Sequence, residues 1–291
     1  MTKNLLTLIE ERKNEFSKGQ RSIAAYITEH YDKAAFMTAS KLGNTVGVSE
    51  STVVRFATEL GYDGYPKMQK AMQEMIRDKL TSVQRIEVTQ SRISDGKILE
   101  NVLNKDIEKI RRTIEETSRE DFVNAVNAIS HAKTIYIFAV RSSAALASFL
   151  GYYYSLIFEN VKIINNYGET EIYEKLFRIS VDDVIIGISF PRYSNAAKQA
   201  MTFAKKRGAK VIALTDSMSS PLVAVSDYVL IAKSDMASVV DSLVAPLSMI
   251  NALIVATVLQ LDDEVKNTFG ILENIWQDFD VYENNGKDGS D

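Results

Sequence analysis

The sequence predicts a two-domain protein, with an all-α N-terminal domain followed by an α/β domain built on a doubly wound, five-stranded parallel sheet. Residues 1–80 show helical patterns only and contain no run of alternating β-branched residues. After residue 133, five short apolar runs alternate with helical segments. Strands that are apolar on both faces and alternate with helices are typical of a parallel sheet covered by helices on both sides.

The chain length of 291 residues also favours two domains. The stretch between the two patterns is polar and weakly patterned, and the last eight residues are polar as well. We predict a helical domain at 1–80, a linker at 81–99, an α/β domain at 100–283 and a tail at 284–291.

The composition indicates an ordinary globular protein, with 46% hydrophobic and 25% charged residues. Cysteine is absent, which excludes disulfides and thiolate metal sites and agrees with a reducing cytoplasm. Segment 1–16 carries charges too early and too often for a signal peptide. The apolar stretch 239–261 is interrupted by Asp241 and Pro246, so we interpret it as a buried helix rather than a membrane span. We expect a cytoplasmic protein with no membrane partner, no metal and no other cofactor.

The formal net charge of −4 does not indicate a nucleic-acid-binding protein, but the charges are unevenly placed. Residues 1–80 carry twelve Lys or Arg and ten Asp or Glu, so the acidic excess lies in the remainder of the chain. This asymmetry gives weak support for DNA contact by the N-terminal domain.

The most informative N-terminal segment predicts a helix from Ser49 to Leu60 with two distinct faces. At 100° per residue, Val53, Phe56 and Ala57 fall within one apolar arc of about 100°. The opposite face carries hydroxyl groups and one arginine. One face is therefore predicted to lie in the core and the other to be exposed.

A shorter helix precedes this one, with Ala39, Leu42 and Val46 on its buried face. Gly47 lies where a helix-ending residue needs a positive φ, and the hydroxyl of Ser49 can cap the next helix. This is the helix-turn-helix pattern, whose second helix fits the major groove of DNA, although the spacing alone fits an ordinary helical hairpin equally well. Arg55 is the best candidate for a guanine or phosphate contact. The candidate DNA-binding residues are Lys41, Ser49, Ser51, Thr52, Arg55 and Thr58.

The second domain is predicted to begin with helices at 98–117 and from Ser118, a candidate N-cap, to about 130. A last pair of helices, at 238–261 and 264–283, closes it. The five predicted strands are TIYIFAV (134–140), VKIINN (161–166), VIIGISF (184–190), KVIALTD (210–216) and YVLIAK (228–233).

Hydroxyl groups and arginines follow the first, third and fourth predicted strands. Ligands of open parallel sheets lie at the carboxyl ends of the strands, so we expect these side chains to converge on one site. Serine hydroxyls, backbone N–H groups at helix starts and arginines suit a phosphate group, although each serine alone is more simply explained as a helix cap. The candidate ligand-binding residues are Arg141, Ser142, Ser143, Ser189, Arg192, Tyr193, Ser194 and Thr215.

The N-terminal motif resembles the helix-turn-helix domain of the RpiR family of bacterial regulators. The resemblance covers about residues 16–75 and is carried by VSESTVVRF (48–56) followed by LGYDGY (60–65). One departure is Gly43, where the family usually carries alanine. Glycine there is expected to soften the first helix by roughly 1 kcal/mol.

Residues from about 120 to 262 resemble the sugar isomerase (SIS) domain, a flavodoxin-like fold that is normally partnered with this helical domain. Ser143, Ser189 and Ser194 match serines of the two SIS loop motifs. Arg141 and Arg192 stand where the family usually has glycines. Other changes are Pro191 in place of a serine and Ala196 in place of a glutamate. Our hypothesis is that the two arginines neutralise the phosphate that the glycine loops usually cradle; the alternative is a pocket that has drifted to another ligand.

The resemblance implies a DNA-binding transcription regulator of sugar or amino-sugar metabolism, controlled by a phosphosugar bound to the SIS domain. Its implied partners are a double-stranded DNA operator, a phosphorylated sugar and further copies of the chain, as a homodimer or homotetramer. We expect no catalysis, because His30 lies in the helical half and His131 precedes the first strand. Two alternatives stay open: a phosphosugar isomerase with an accessory helical domain, and a constitutive DNA-binding protein whose SIS domain serves only assembly.

Overall fold

The computed structural model describes residues 5–76, 97–165, 168–234 and 240–282. The chain divides near residue 98 into two compact units. Most of the predicted linker (81–99) and all of the predicted tail (284–291) lie outside the described residues, so the predicted domain bounds stay predictions.

The N-terminal unit is all-α, as predicted. Phe16, Ile23, Leu42 and Phe56 are buried in its core, and the rings of Phe16 and Phe56 meet edge to face with centroids 5.0 Å apart. Ser17 begins the second helix with a capping box, in which its hydroxyl accepts from the backbone N–H three residues on. The helices are α1 (Leu5–Arg12), α2 (Lys18–Glu29), α3 (Tyr31–Ala34), α4 (Ala39–Val46), α5 (Glu50–Glu59) and α6 (Tyr65–Ile76).

Polar side chains of α6 fix the backbone between α3 and α4. The hydroxyl of Tyr65 and the amide of Gln69 both donate to the carbonyl oxygen of Met37, each at 2.8 Å. Gln73 donates in the same way to the carbonyl of Ala35 at 2.8 Å. Burial raises the pKa of Tyr65 to about 12, because the charged phenolate would be desolvated.

The C-terminal unit is a five-stranded parallel sheet with helices on both faces, which confirms the predicted fold class. The strands are β1 (Ile135–Ala139), β2 (Val161–Ile164), β3 (Val184–Ile188), β4 (Lys210–Thr215) and β5 (Tyr228–Ile231). The helices are α7 (Ile98–Glu116), α8 (Arg119–Ser130), α9 (Ala144–Ile157), α10 (Glu169–Leu176), α11 (Asn195–Lys206), α12 (Val244–Gln260) and α13 (Asp262–Asp278), with 3₁₀ turns at Arg141–Ser143 and Val223–Val225.

The strand order is β2-β1-β3-β4-β5, and all four pairings are parallel. Alternate residues of each strand face opposite layers. Ile135 and Ile137 of β1 pack with α8, α9 and α12, whereas Tyr136 and Phe138 pack with α10 and α11. Since β1 and β3 are neighbours whose following helices lie on opposite faces, the sheet has its topological switch point between them.

The observed elements are shorter than the predicted ones at positions that matter for the site. Each strand ends one or two residues before the end of its predicted apolar run, because these last residues turn away into loops. The first helix of the closing pair begins at Val244 rather than near 238. Its first turn contains Pro246, which has no N–H to donate, and the hydroxyl of Ser242 accepts from the N–H of Val244 at 3.4 Å.

Among the described residues, no single helix has the length and apolar character needed to cross a membrane. Only the bent pair Val244–Gln260 and Val265–Asp278, with 106° between its helices, reaches that length and composition jointly.

Candidate functional site

Helices α4 and α5 form the predicted helix-turn-helix. Helix α4 ends at Gly47, whose φ of 75° lies in the left-handed region that glycine adopts without strain. The hydroxyl of Ser49 accepts from the backbone N–H of Thr52 at 3.3 Å and so caps α5. Both local predictions are confirmed.

Gly43 has a structural reason that helix propensity does not show. A Cβ atom at this position would lie 2.7 Å from the carbonyl oxygen of Val48, in the turn that leads into α5. Glycine therefore lets α4 and the following turn approach each other closely, which fixes the direction in which α5 leaves the turn.

The outer face of α5 is exposed as predicted, while Val53, Phe56 and Ala57 are fully buried. Ser49 and Thr52 also share a hydrogen bond through their hydroxyls at 2.9 Å, so these two side chains already stabilise the start of the helix. The Nε of Arg55 contacts the carbonyl of Ser51 only at 3.4 Å, which leaves most of the guanidinium for an external ligand. Among the predicted DNA-binding residues, Lys41, Ser49, Ser51, Arg55 and Thr58 are exposed and Thr52 is half-buried.

In the C-terminal unit, a cleft lies at the carboxyl ends of β1 and β3, at the topological switch point. Its volume of about 70 Å³ is well below the several hundred Å³ of a pocket that encloses a whole ligand, so the cleft has room for one small group. Six of the eight predicted ligand-binding residues line this cleft: Arg141, Ser142, Ser143, Ser189, Arg192 and Ser194.

Arg141 has a backbone conformation that is unusual for its residue type. Its φ of 56° places it in the left-handed region, which glycine occupies freely and which side chains with a Cβ disfavour. The fold thus keeps the backbone shape of a glycine loop at this position while the chain carries an arginine. A residue held in such a conformation motivates a functional hypothesis for its side chain.

The cleft presents guanidinium and hydroxyl donors. In the described part of the chain, the guanidinium groups of Arg141 and Arg192 are exposed and have no ion pair or hydrogen bond. The hydroxyls of Ser142 and Ser143 likewise have no partner among the described residues, and Ser143 does not cap α9 through its side chain. Guanidinium forks and serine hydroxyls that converge on a space of this size favour an anion with several oxygen atoms.

The other serines shape the loop after β3. Ser189 accepts from the N–H of Ser194 at 3.0 Å through its hydroxyl, and the hydroxyl of Ser194 caps α11 by accepting from the N–H of Ala197 at 3.3 Å. Thr215 donates to the carbonyl of Ser189 at 2.8 Å. Ser189 and Ser194 line the cleft and also hold its loop in place.

Tyr193 and Thr215 lie behind the cleft rather than in its wall. The hydroxyl of Tyr193 donates to the carboxylate of Asp216 at 2.7 Å. Both residues connect the loop after β3 to the end of β4, and a direct contact of either with a ligand stays a prediction.

Asp241 and Leu243 line the cleft but were not among the predicted residues. They precede α12 and follow no strand directly, so the strand-end rule could not indicate them. Asp241 adds one carboxylate to a cleft that otherwise presents guanidinium and hydroxyl groups.

The groups that could act as general bases lie elsewhere or have structural roles. His131 precedes β1, at the opposite edge of the sheet from the cleft, and its Nδ1 lies 2.8 Å from the carbonyl oxygen of Asn127. The carboxylate of Glu171 accepts from the N–H of Gly168 at 3.1 Å, which caps α10. Within the described residues, no group of three or more His, Asp or Glu side chains could hold a metal ion.

Together, the fold and these surfaces define a helix-turn-helix protein that carries an α/β ligand-binding domain. Two family models match the chain: "Helix-turn-helix domain, rpiR family" over residues 3–79 and "SIS domain" over residues 128–256. The chain therefore belongs to the RpiR family of helix-turn-helix transcriptional regulators with a C-terminal SIS domain, as the sequence motifs predicted.

Two relatives align with this chain over most of its length and over most of their own. An uncharacterized HTH-type transcriptional regulator of Clostridium perfringens is 24% identical over 77% of this chain and 80% of its own. Another, from Caldanaerobacter subterraneus, is 24% identical over 87% of this chain and 89% of its own.

Solved structures share the fold. The sugar isomerase domain of an RpiR transcription factor from Sphaerobacter thermophilus superposes with a TM-score of 0.58 and 26% identity, covering 61% of this chain and 99% of that domain. The NanR protein of Vibrio vulnificus, complexed with ManNAc-6P, has a TM-score of 0.58 and 22% identity, covering 97% of this chain and all of NanR.

Proposed function

We propose that this protein binds operator DNA through α5 and that a phosphorylated sugar in the cleft between β1 and β3 controls this binding. The observation that carries the proposal is that the guanidinium groups of Arg141 and Arg192 line one cleft with the hydroxyls of Ser142 and Ser143, and that none of the four has a partner among the described residues. The phosphate would fill the enclosed part of the cleft and the sugar would extend outward.

An amino-sugar phosphate is the first ligand to test. NanR, which shares the fold, is complexed with ManNAc-6P. Asp241 on the cleft wall could accept hydrogen bonds from an amine, amide or hydroxyl of such a sugar. Glucosamine 6-phosphate, N-acetylmuramic acid 6-phosphate and pentose and hexose phosphates complete the panel.

The decisive experiment is thermal unfolding of the purified protein with each sugar phosphate, paired with the same sugar without phosphate. A ligand that binds only the folded state adds roughly 2.7 kcal/mol at a hundred times its Kd, which gives a clear rise in Tm. We expect stabilisation by at least one phosphorylated member and none by its unphosphorylated control. A flat panel would leave a constitutive DNA-binding protein as the better explanation. A hit is then added to a DNA-binding assay, where a change in DNA affinity is expected.

We also propose that the protein acts as a homodimer or homotetramer in the cytoplasm, where its operator would be found. Helix-turn-helix proteins usually bind two half-sites, which needs two copies. The C-terminal unit exposes an apolar groove of about 400 Å³ between α7, α8 and α12, with Ile114, Phe122 and Met249 among its lining residues. This surface is a candidate for part of the contact between copies, and light scattering of the purified protein tests the assembly.

We do not propose an isomerase activity. The carboxylate of Glu171 caps a helix, and His131 lies away from the cleft, so neither is placed as a general base. Incubation of the protein with fructose 6-phosphate or arabinose 5-phosphate, followed by product analysis, would reveal turnover if this interpretation were wrong.

A further inference from the structure

Helix α7 is the first described helix of the C-terminal unit, and buried polar groups hold it to the edge of the sheet that forms the cleft. Lys233, just after β5, has a side chain that is only 7% exposed. Its ammonium group forms an ion pair with Glu116 at the end of α7 and donates to the carbonyl oxygen of Asp216 at 3.2 Å. The N–H of Lys233 donates to the hydroxyl of Thr113 on α7 at 2.9 Å. A buried ammonium group thus joins the ends of β4 and β5 to one helix.

Further hydrogen bonds connect Lys233 to the loop after β3, at residues 190–194. Asp216 is 1% exposed, and its carboxylate accepts from the hydroxyl of Tyr193 at 2.7 Å. Tyr193 follows Arg192, whose guanidinium group faces the cleft. A connected series of polar contacts therefore runs from Tyr193, the chain neighbour of Arg192, through Asp216 and Lys233 to Glu116.

A second contact reaches the middle of α7 from the other wall of the cleft. Ser242 lies between Asp241 and Leu243, both of which line the cleft. The hydroxyl of Ser242 donates to the carboxylate of Asp106 on α7 at 2.7 Å, and Lys109 forms an ion pair with the same oxygen at 3.0 Å. The side chain of Lys109 is 6% exposed, so this cluster is also shielded from water.

We propose that these two contacts, Lys233–Glu116 and Ser242–Asp106, form a clamp through which α7 responds to ligand in the cleft. The inference rests on the proposed function, because it assigns the residues that connect the ligand site to the helix that follows the DNA-binding half in the chain. The Ser242 contact lies beside the cleft wall at 241–243, and the Lys233 contact is connected through Asp216 and Tyr193 to the loop at 190–194. A shift of either segment therefore changes the clamp geometry. The ammonium group of Lys233 is buried whereas Glu116 is 44% exposed, so loss of the carboxylate partner would leave a buried charge uncompensated. The cost of that loss favours the arrangement in which the pair is formed, which suits a two-state element.

The clamp gives a definite expectation about coupling. If ligand binding changes DNA affinity by a certain coupling factor, removal of the clamp brings this coupling factor closer to 1. Couplings of this kind are typically about fivefold to 150-fold. Since Lys233 and Glu116 do not line the cleft, the affinity for ligand in the absence of DNA is expected to stay within a few fold of wild type.

The test combines Lys233→Met with Glu116→Gln, which removes the buried ammonium group together with its carboxylate partner. The same change removes the ion pair of Glu116 with Arg112 at 3.4 Å on the surface of α7. Ser242→Ala removes the second contact. The matched control is Lys266→Met with Asp262→Asn, which removes an exposed ion pair of α13 and likewise leaves the net charge unchanged. DNA affinity is measured for each full-length variant with and without the phosphosugar that stabilises the wild type most in the panel above.

For the variant that lacks both contacts, we expect a coupling factor within about twofold of 1. Variants that lack only one contact should have an intermediate coupling factor, and the control should keep the wild-type value. Full wild-type coupling in a folded variant without the clamp would overturn the inference. If the wild-type protein binds no member of the panel, or if its coupling factor is 1, the result contradicts the proposed function instead.

Hydrogen exchange tests, without any ligand, whether the contacts between Tyr193 and α7 act as one network. Tyr193→Phe removes only the hydroxyl that donates to Asp216. We expect the amides of Lys233 and of residues 113–117 to exchange roughly threefold faster or more in this variant, while the amides of α11, on the other side of the loop, keep their wild-type rates. Unchanged exchange at Lys233 and at 113–117 would show that the contacts do not act as one network.

Discussion

Replacement of Arg141 by glycine should make the protein more stable and its ligand site weaker. A residue with a Cβ in the left-handed region costs about 1–2 kcal/mol relative to glycine, and Arg141 has a φ of 56°. Glycine also gives the unfolded chain more conformational freedom, which lowers the free energy of unfolding by about 0.4–1 kcal/mol and so offsets part of this stabilisation. We therefore expect Arg141→Gly to stabilise the C-terminal unit by about 0.5–1 kcal/mol, which is roughly 1–4 °C in Tm for a unit of this size.

The same substitution removes one of the two guanidinium groups that line the cleft. A hydrogen bond to a charged group contributes about 1.5–3 kcal/mol, so affinity for a stabilising sugar phosphate should fall roughly tenfold to a hundredfold. Denaturant unfolding measures the first effect, and calorimetric titration with the sugar phosphate measures the second. A more stable protein that binds less ligand would show that the strained backbone at this position serves binding.

Arg141→Ala is the matched control, because it removes the charge but keeps a Cβ in the left-handed region. The glycine variant should be the more stable of the two, and both should bind the sugar phosphate equally weakly. Equal stability of the two variants would refute the strain argument. Wild-type affinity in either variant would refute the role of the arginine in the cleft, whatever the stability result.

Three further predictions concern the N-terminal unit. Arg55→Ala should weaken binding to duplexes selected from random DNA by about 1–3 kcal/mol if the arginine contacts a base, or lower the salt dependence by about one ion if it contacts a phosphate; unchanged affinity and salt slope would exclude both. Gly43→Ala should destabilise the unit by about 1–3 kcal/mol, because the added Cβ would lie 2.7 Å from the carbonyl oxygen of Val48, whereas Asn44→Ala on the exposed side of α4 should not; thermal unfolding of the two variants tests this difference. Burial raises the pKa of Tyr65 to about 12, above its unfolded value, so its contribution to stability is complete below pH 10 and is lost as the pH rises towards 12. Denaturant unfolding at pH 9 and pH 11.5 should show this loss of stability, and the loss should be smaller in Tyr65→Phe.

The helix-turn-helix was predictable because its signals are local. The positive φ of Gly47 and the cap formed by Ser49 each depend on residues within one turn of the chain. Gly43 shows the limit of local reasoning: helix propensity counts this glycine as a cost, whereas its close approach to Val48 depends on the path of the chain after the helix has ended.

The ligand cleft was predictable in part because topology brings strand ends together. The rule for parallel sheets located Arg141 and Arg192 without knowledge of the strand order, since both lie within four residues of a strand's carboxyl end. The rule could not separate residues that line the cleft from those that support it. Tyr193 lies next to Arg192 in the sequence, yet its hydroxyl binds Asp216 behind the cleft wall.

The clamp on α7 could not be predicted from the sequence at all, for a physical reason. Its members are far apart in the chain, and each has an ordinary explanation alone: Lys233 as a charged strand end, Glu116 as a helix-end carboxylate and Ser242 as a loop hydroxyl. What distinguishes this set is the burial of Lys233, since an ammonium group that is 7% exposed must be neutralised while an exposed one need not be. Burial at this position depends on how α7 packs over the ends of β4 and β5, which no local pattern encodes. The surfaces proposed to bind DNA and phosphate therefore follow from short motifs, whereas the contacts proposed to connect them follow only from the packed structure.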